Sequence, residues 1–252
     1  MIRSSGPVWK RRLNSNGPFN TKMATCNSVR PSFDRRRYSA SQPVVYLDHP
    51  PENAGLEGIT YLNLNRPEAK NAISMELLDQ MFTCLGKVRF DGTRVLILRS
   101  SIPGSFCAGA DLKERRRMSK VEVSKFLHDL RNALHELDTL PMPTIAAIDG
   151  PALGGGLELA LACDLRVAGL VDYVSEQVSA ADHASEVARG ILPNGPVAIK
   201  AAKLAINRSI EVDLETGLDF ERQCYNTVLE TKDRIEGLKA FNEKRKPRFT
   251  GE

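Results

Sequence analysis

Apolar positions along this chain recur at two spacings, interrupted by Gly, Pro, Ser and Asn clusters. Residues 43–47 and 58–64 (GITYLNL) predict strands; the second alternates from Ile59 and Tyr61 at period two. Residues 94–99 (RVLILR) and 144–149 (TIAAID) are short apolar blocks that predict buried strands, and residues 165–168 (LRVA) predict another. Helical spacing fills the gaps. Residues 74–90 predict a helix with Ser74 at its N-cap. Ser119-Lys-Val-Glu122 is a capping box, in which the Ser hydroxyl takes one free N–H and the Glu reaches back to another. The helix after it carries Phe126, Leu130, Ala133, Leu134 and Leu137 on one face. A glycine turn at 154–156 opens a helix that reaches Cys163. Beyond residue 175 the spacing is helical throughout, near 179–190, 196–208, 213–229 and 232–244.

Strands alternating with helices, then a helical tail, predict an α/β fold with a partly parallel sheet and an appended helical part. A strand, a glycine turn and a helix follow one another twice, at 94–113 and 144–163. That unit points backbone N–H groups at a ligand. Neither copy carries Gly-Lys-Ser/Thr or G-x-G-x-x-G, so phosphate or dinucleotide binding has weak support. No G-x-S-x-G elbow supports a serine hydrolase, and the four histidines form no H-E-x-x-H. The five cysteines are odd in number and form no C-x-x-C pair, so neither a disulfide framework nor a zinc site is expected. They read as free thiols of a reducing compartment.

Composition adds little until charge is mapped. The 252 residues are 42% hydrophobic and 26% charged, which excludes collagen-like and wholly disordered chains. No apolar run approaches the roughly 18 residues of a membrane span. The net charge of +4 hides an asymmetry. Residues 1–42 hold nine Lys and Arg against one Asp, a net of +8, and the remainder carries −4. An Arg- and Ser-rich, acid-poor leader without a long apolar block has transit-peptide composition, and Arg37-Tyr38-Ser39 looks like a mitochondrial processing site. The competing reading is a basic arm that binds nucleic acid. The expected division is a disordered mitochondrial transit peptide at 1–42, a core at 43–174 and a helical region at 175–252, with the protein in the mitochondrial matrix. The 210 residues after the leader suit one domain.

Three motifs in order now identify the chain as resembling the crotonase (enoyl-CoA hydratase/isomerase) superfamily. Ser105-Phe-Cys-Ala-Gly-Ala-Asp111-Leu-Lys resembles that family's first oxyanion segment. Ile145-Ala-Ala-Ile-Asp-Gly-Pro-Ala-Leu-Gly154-Gly-Gly-Leu-Glu158 resembles its second, and Asn65-Arg-Pro-Glu-Ala-Lys70-Asn71-Ala72 its CoA-contacting segment. The resemblance implies a crotonase-like (ββα) core with a C-terminal helical region, and addition of water to a 2-enoyl-CoA thioester. It implies the N–H groups of Ala110 and Gly155 as the oxyanion pair and Glu158 as a catalytic carboxylate. Lys70, Ala72, Ala108, Asp111, Leu112 and Lys244 would contact CoA, the last across a subunit interface of a homotrimer or hexamer. Coenzyme A would be part of the substrate, with no separate cofactor and no metal. Asp111-Leu-Lys-Glu-Arg and the tail (Val212-Asp213, Lys232-Asp-Arg, Glu243-Lys-Arg) look most like the branch that hydrates methylglutaconyl-CoA and binds AU-rich RNA, with the neighbouring enoyl-CoA hydratase domain-containing branch close behind. RNA would then meet Lys113, Arg117 and Lys120, although Glu114, Glu122 and Asp129 dilute the charge and a solvated helix face is the plainer reading.

One block is missing. In the family, a second glycine-rich segment and a second catalytic glutamate follow the strand ending at Ala168; here Ala168 runs straight into Gly169-Leu-Val. Glu176 and Glu186 correspond to positions farther downstream, so neither replaces that glutamate. The core is therefore expected to be incomplete and two-glutamate hydration impaired. A skipped exon or an erroneous gene model leaves such a join; an enzyme working with one glutamate is the other reading. A CoA-binding subunit without catalysis is a further alternative.

Overall fold

Five strands form one sheet in sequence order in the computed structural model, which describes residues 43–52, 54–168 and 179–252. They are β1 (Val45–Asp48), β2 (Ile59–Leu64), β3 (Val95–Ser100), β4 (Thr144–Ile148) and β5 (Leu165–Ala168). β1 runs antiparallel to β2, and every later pair is parallel. Parallel neighbours need a crossover rather than a tight turn. The crossovers are α1 (Met75–Val88), then α2 (Leu112–Arg115) with α3 (Lys120–Asp138), then α4 (Gly155–Leu161). Four helices follow: α5 (Ala180–Ile191), α6 (Pro196–Ser209), α7 (Leu214–Leu229) and α8 (Lys232–Asn242). All the described residues belong to one unit, Gln42–Glu252. The expected transit peptide at 1–42 and the join at 169–178, with Glu176, lie outside the described residues.

The local signals account for the helix starts. Ser74 Oγ accepts the Leu77 N–H at 3.1 Å, and the Ser119–Glu122 box is closed in both directions. Each such cap stabilises its helix by about 1 kcal/mol. Tertiary packing decides the strands. The period-two reading of 58–64 predicts one wet face, but all six residues of β2 are buried. Leu62 and Leu64 join Leu96 and Leu98 in a core under α1 and α3. Ile59 and Tyr61 join Ile97 and Ile145 in a second core, closed by Ala180, Ala184 and Ala188 of α5. No described helix is long and apolar enough to cross a membrane.

Among the described residues, β5 is an edge of the sheet. Leu153, Leu157, Leu161 and Leu165 recur every four residues and are 57%, 47%, 58% and 41% exposed. The opposite face of α4 buries Leu159 and Ala160 completely. This exposed ridge lies on the face of α4 and β5 nearest in sequence to the join.

One polar cluster ties α6 to the sheet. Asp164, between α4 and β5, accepts from Thr144 N at 2.7 Å and Thr144 Oγ1 at 2.9 Å. The same oxygen pairs with Lys203 Nζ at 2.8 Å, which also donates to Met142 O at 3.1 Å. Lys203→Met removes a charge-assisted pair from a largely buried site but leaves Asp164 its two bonds from Thr144. The expected cost is about 1–3 kcal/mol of unfolding free energy, measured by urea titration; an unchanged midpoint would show that the pair contributes nothing.

Candidate active site

Three backbone segments lie side by side at the C-terminal ends of the parallel strands. The first, 65–73, leaves β2 and makes one short 3-10 turn over Pro67–Ala69. Lys70 and Asn71 then adopt left-handed backbone (φ 49° and 57°). That conformation is costly for most residues and easiest for Gly, Asn and Asp. Asn71 is fully buried, and its side chain closes the turn: Oδ1 accepts Arg66 N at 2.8 Å, and Nδ2 donates to Ser100 Oγ at 2.8 Å and Phe106 O at 2.9 Å.

The second segment, 105–112, runs between the other two. On one side Ala108 N donates to Lys70 O, Ile73 N to Gly109 O at 2.7 Å, and Asp111 N to Ile73 O at 2.9 Å. On the other side Cys107 N donates to Pro151 O, and Leu153 N to Cys107 O at 2.9 Å. Glycine is required where the segments touch. Gly109 has φ +85°, and a Cβ there would stand 2.7 Å from Leu153 O and 3.6 Å from Gly155 N. A Cβ on Gly156 would stand 2.5 Å from Cys107 O.

Along these segments the N–H groups of Gly109, Ala110, Leu112, Ala152, Gly154 and Gly155 have no backbone acceptor among the described residues, and Ala110 and Gly155 are the two placed on facing segments. Ala110 forms a parallel bridge with Ile73. The bridge uses the neighbouring Gly109 carbonyl and Asp111 N–H, so the Ala110 N–H points to the opposite side, where 153–155 lie. Gly155 is the first residue of α4, where N–H groups have no intrahelical partner. Glu158 is three residues further on, hence on the same side of the helix, and is exposed. Two backbone donors beside one carboxylate can stabilise a developing oxyanion and exchange protons with its substrate.

The flanking groups are set by burial and pairing. Burial would push Asp111 up; the Glu114 N–H, the Arg66 guanidinium and the Lys113 N–H together outweigh it and hold the carboxyl below its ordinary value. Burial pushes the Cys107 thiol up to about 11, although the Gly109 N–H opposes it. A thiol so raised is protonated at neutral pH and is no nucleophile. Cys84, Cys107, Cys163 and Cys224 are all free and buried.

The candidate CoA-contacting residues fall into two groups. Lys70, Ala72, Ala108, Asp111 and Leu112 stand together on the two adjoining segments; Lys70, Ala108 and Leu112 are exposed, while Ala72 and Asp111 are buried. Lys244 is exposed just past α8, with φ 54°. Lys113, Arg117 and Lys125 rim an open cavity of about 670 Å³, alternating there with Glu76, Glu114 and Glu122. Lys120 is exposed at the start of α3. Two residues that the sequence reading passes over prove central to the backbone geometry, Arg66 and Asn71. Their signal was the Asn-Arg-Pro to Asn71 stretch itself, just past a strand.

Comparisons with known proteins show the family and the fold. The family model described as Enoyl-CoA hydratase/isomerase matches residues 55–169 and 167–252, two stretches that meet at the join after Ala168. An enoyl-CoA isomerase/hydratase of Mycosarcoma maydis is 42% identical over 82% of this chain and 98% of its own length. The mitochondrial methylglutaconyl-CoA hydratase of Mus musculus is 42% identical over 77% of this chain and 80% of its own. That alignment is 252 positions long but uses about 194 residues of this chain (77% of 252), so about 58 positions face no residue here. The crystal structure of enoyl-CoA hydratase from Bacillus anthracis superposes with a TM-score of 0.75 at 34% identity, covering 83% of this chain and all of that one.

Proposed function

Because the chain belongs to the enoyl-CoA hydratase/isomerase family, we propose that it binds a 2-enoyl-CoA thioester with the N–H groups of Ala110 and Gly155 on the thioester oxygen and Glu158 as its one catalytic carboxylate. The observation that carries this reading is the placement of the Ala110 and Gly155 N–H groups, both without a backbone acceptor among the described residues, on adjoining segments with Glu158 one helical turn beyond. Water adds to C3 of the enoyl group, the electron pair of the double bond moves toward the thioester oxygen, and C2 then takes a proton. The two donors stabilise the charge on oxygen; in well-studied sites one such donor supplies about 3–4 kcal/mol. Glu158 accepts the proton from water, and the proton for C2 comes from the same carboxyl or from solvent. The usual division between two glutamates is absent, so hydration runs about 10²–10⁴-fold below that of two-glutamate relatives.

Methylglutaconyl-CoA is the proposed acyl substrate, supported by the tail motifs and by the 42% identity to a hydratase of that name. Coenzyme A is part of that substrate, and no separate cofactor or metal is needed. Lys70, Ala72, Ala108, Asp111 and Leu112 border the CoA path. Residues 1–42 direct the chain to mitochondria, in keeping with the mitochondrial relatives. A trimeric assembly would cover the outward Ile206, Leu214, Leu218 and Tyr225 of α6 and α7, which are 66%, 78%, 51% and 59% exposed, and would bring Lys244 to a neighbour's CoA. The RNA reading has weaker support, because acids alternate with the cations around Lys113 and Arg117.

The reading is tested by titrating the purified protein with 4-(dimethylamino)cinnamoyl-CoA. Its absorbance moves to the red when the thioester carbonyl is polarised. Saturable binding with a red shift is expected; binding with no shift would refute the oxyanion assignment.

A further inference from the structure

Arg66 reaches the Ala110 donor through two peptide groups in series. Its Nη1 donates to Ala72 O at 2.7 Å. The N–H of that same peptide, on Ile73, donates to Gly109 O at 2.7 Å. The N–H of that next peptide belongs to Ala110, the proposed oxyanion donor. A positive charge on the first carbonyl makes the Ile73 N–H a stronger donor, and that bond in turn strengthens the Ala110 N–H. Hydrogen bonds in a chain reinforce one another in this way, by roughly 10–30% per bond.

The other arm of the guanidinium closes the loop. Nη2 pairs with Asp111 Oδ2 at 2.7 Å, and Asp111 N donates to Ile73 O at 2.9 Å. Ala72 and Asp111 therefore flank the Ile73–Ala110 bridge, one on each segment, and a single planar fork spans both. The Arg66 and Asp111 side chains are 17% and 11% exposed, so water screens this arrangement little. Nε faces Glu68 at 3.1 Å on the open side. A lysine ammonium is a point charge without that fork and cannot reproduce the two directed bonds.

We propose that Arg66 is a positioning and polarising residue for the Ala110 oxyanion donor, acting through the Ala72–Ile73 and Gly109–Ala110 peptides on a bound enoyl thioester carbonyl. This rests on the reading of Ala110 and Gly155 as oxyanion donors. It predicts a change in the electronic state of bound thioester that neither loss of fold nor loss of a phosphate contact would produce.

The test uses the full chain, the dimethylaminocinnamoyl-CoA probe, and Arg66→Lys and Arg66→Ala beside the unsubstituted protein. Three quantities are read: the thermal midpoint, the probe dissociation constant, and the red shift of fully bound probe. In R66K the red shift is expected to fall by about 10–30%, the reinforcement that a bond in the chain carries, with affinity within a factor of about three. In R66A, added methylguanidinium is expected to recover part of the shift. A full red shift in R66K overturns the proposal alone. So does a weaker dissociation constant with an unchanged shift, which would make Arg66 a phosphate contact, and so does a shift that falls only as far as the folded fraction falls. No shift in the unsubstituted protein overturns the oxyanion reading and this proposal with it.

Discussion

Glu158→Gln is expected to lower whatever hydration or C2 proton exchange this chain performs by about 10²–10⁴-fold, the usual contribution of a positioned acid–base group. The side chain is exposed on α4, and Gln keeps its size, so stability should stay within about 0.5 kcal/mol. Probe binding and its red shift should persist, because the Ala110 and Gly155 donors do not depend on the carboxylate. The three readouts separate cleanly: rate lost, fold kept, carbonyl polarisation kept. An unchanged rate in E158Q would remove Glu158 from the mechanism, whatever the fate of the oxyanion pair.

Gly156→Ala is expected to damage the same site through the backbone instead. Its new Cβ would lie 2.5 Å from Cys107 O, 2.7 Å from Cys107 Cβ and 2.9 Å from Cys107 Sγ. Two of these contacts are to atoms at or next to the backbone, so the segments must part. Cys107 O is the acceptor for Leu153 N, so the register that aims both donors shifts. Overpacking of this kind costs about 1–3 kcal/mol, and misplacing an oxyanion donor costs about 10²–10³-fold in rate. The control is Gly86→Ala in α1, where a Cβ meets nothing within 4 Å. There the gain in helix propensity should stabilise by up to about 1 kcal/mol. If urea unfolding and the probe red shift are alike in the two variants, close approach at Gly156 is not what the glycine serves.

What the sequence discloses and what it withholds follow from how local each feature is. Ser74 and the Ser119–Glu122 box are visible because a cap is satisfied within three residues. The helices of the tail are visible by spacing and starting residue, as at α7, where Asp213 caps the Thr216 N–H. The second buried face of β2 is not visible, since what covers Ile59 and Tyr61 is α5, more than 100 residues later. Nor is the open ridge on α4. Gly-Gly-Leu-Glu-Leu-Ala-Leu is apolar on nearly every side, so the pattern does not say that Leu157 and Leu161 are the exposed pair and Leu159 the buried one. The candidate site divides in the same way. Its glycines and Glu158 stand in motifs, whereas the roles of Arg66 and Asn71 depend on bonds across 35 to 45 residues.

The join after Ala168 was legible for a different reason, because a motif that should follow a motif was not there. The consequence we propose for it bears on mechanism: an oxyanion pair retained and an acid–base pair halved. The most direct test inserts, between Ala168 and Gly169, the segment that the murine relative carries there, at most roughly 58 positions, then compares crotonyl-CoA hydration and probe red shift in the two chains. A rise in hydration of about 10²–10⁴-fold, with the red shift present in both chains, is the predicted result. Equal hydration rates in the two chains, or a red shift that appears only after insertion, would contradict it.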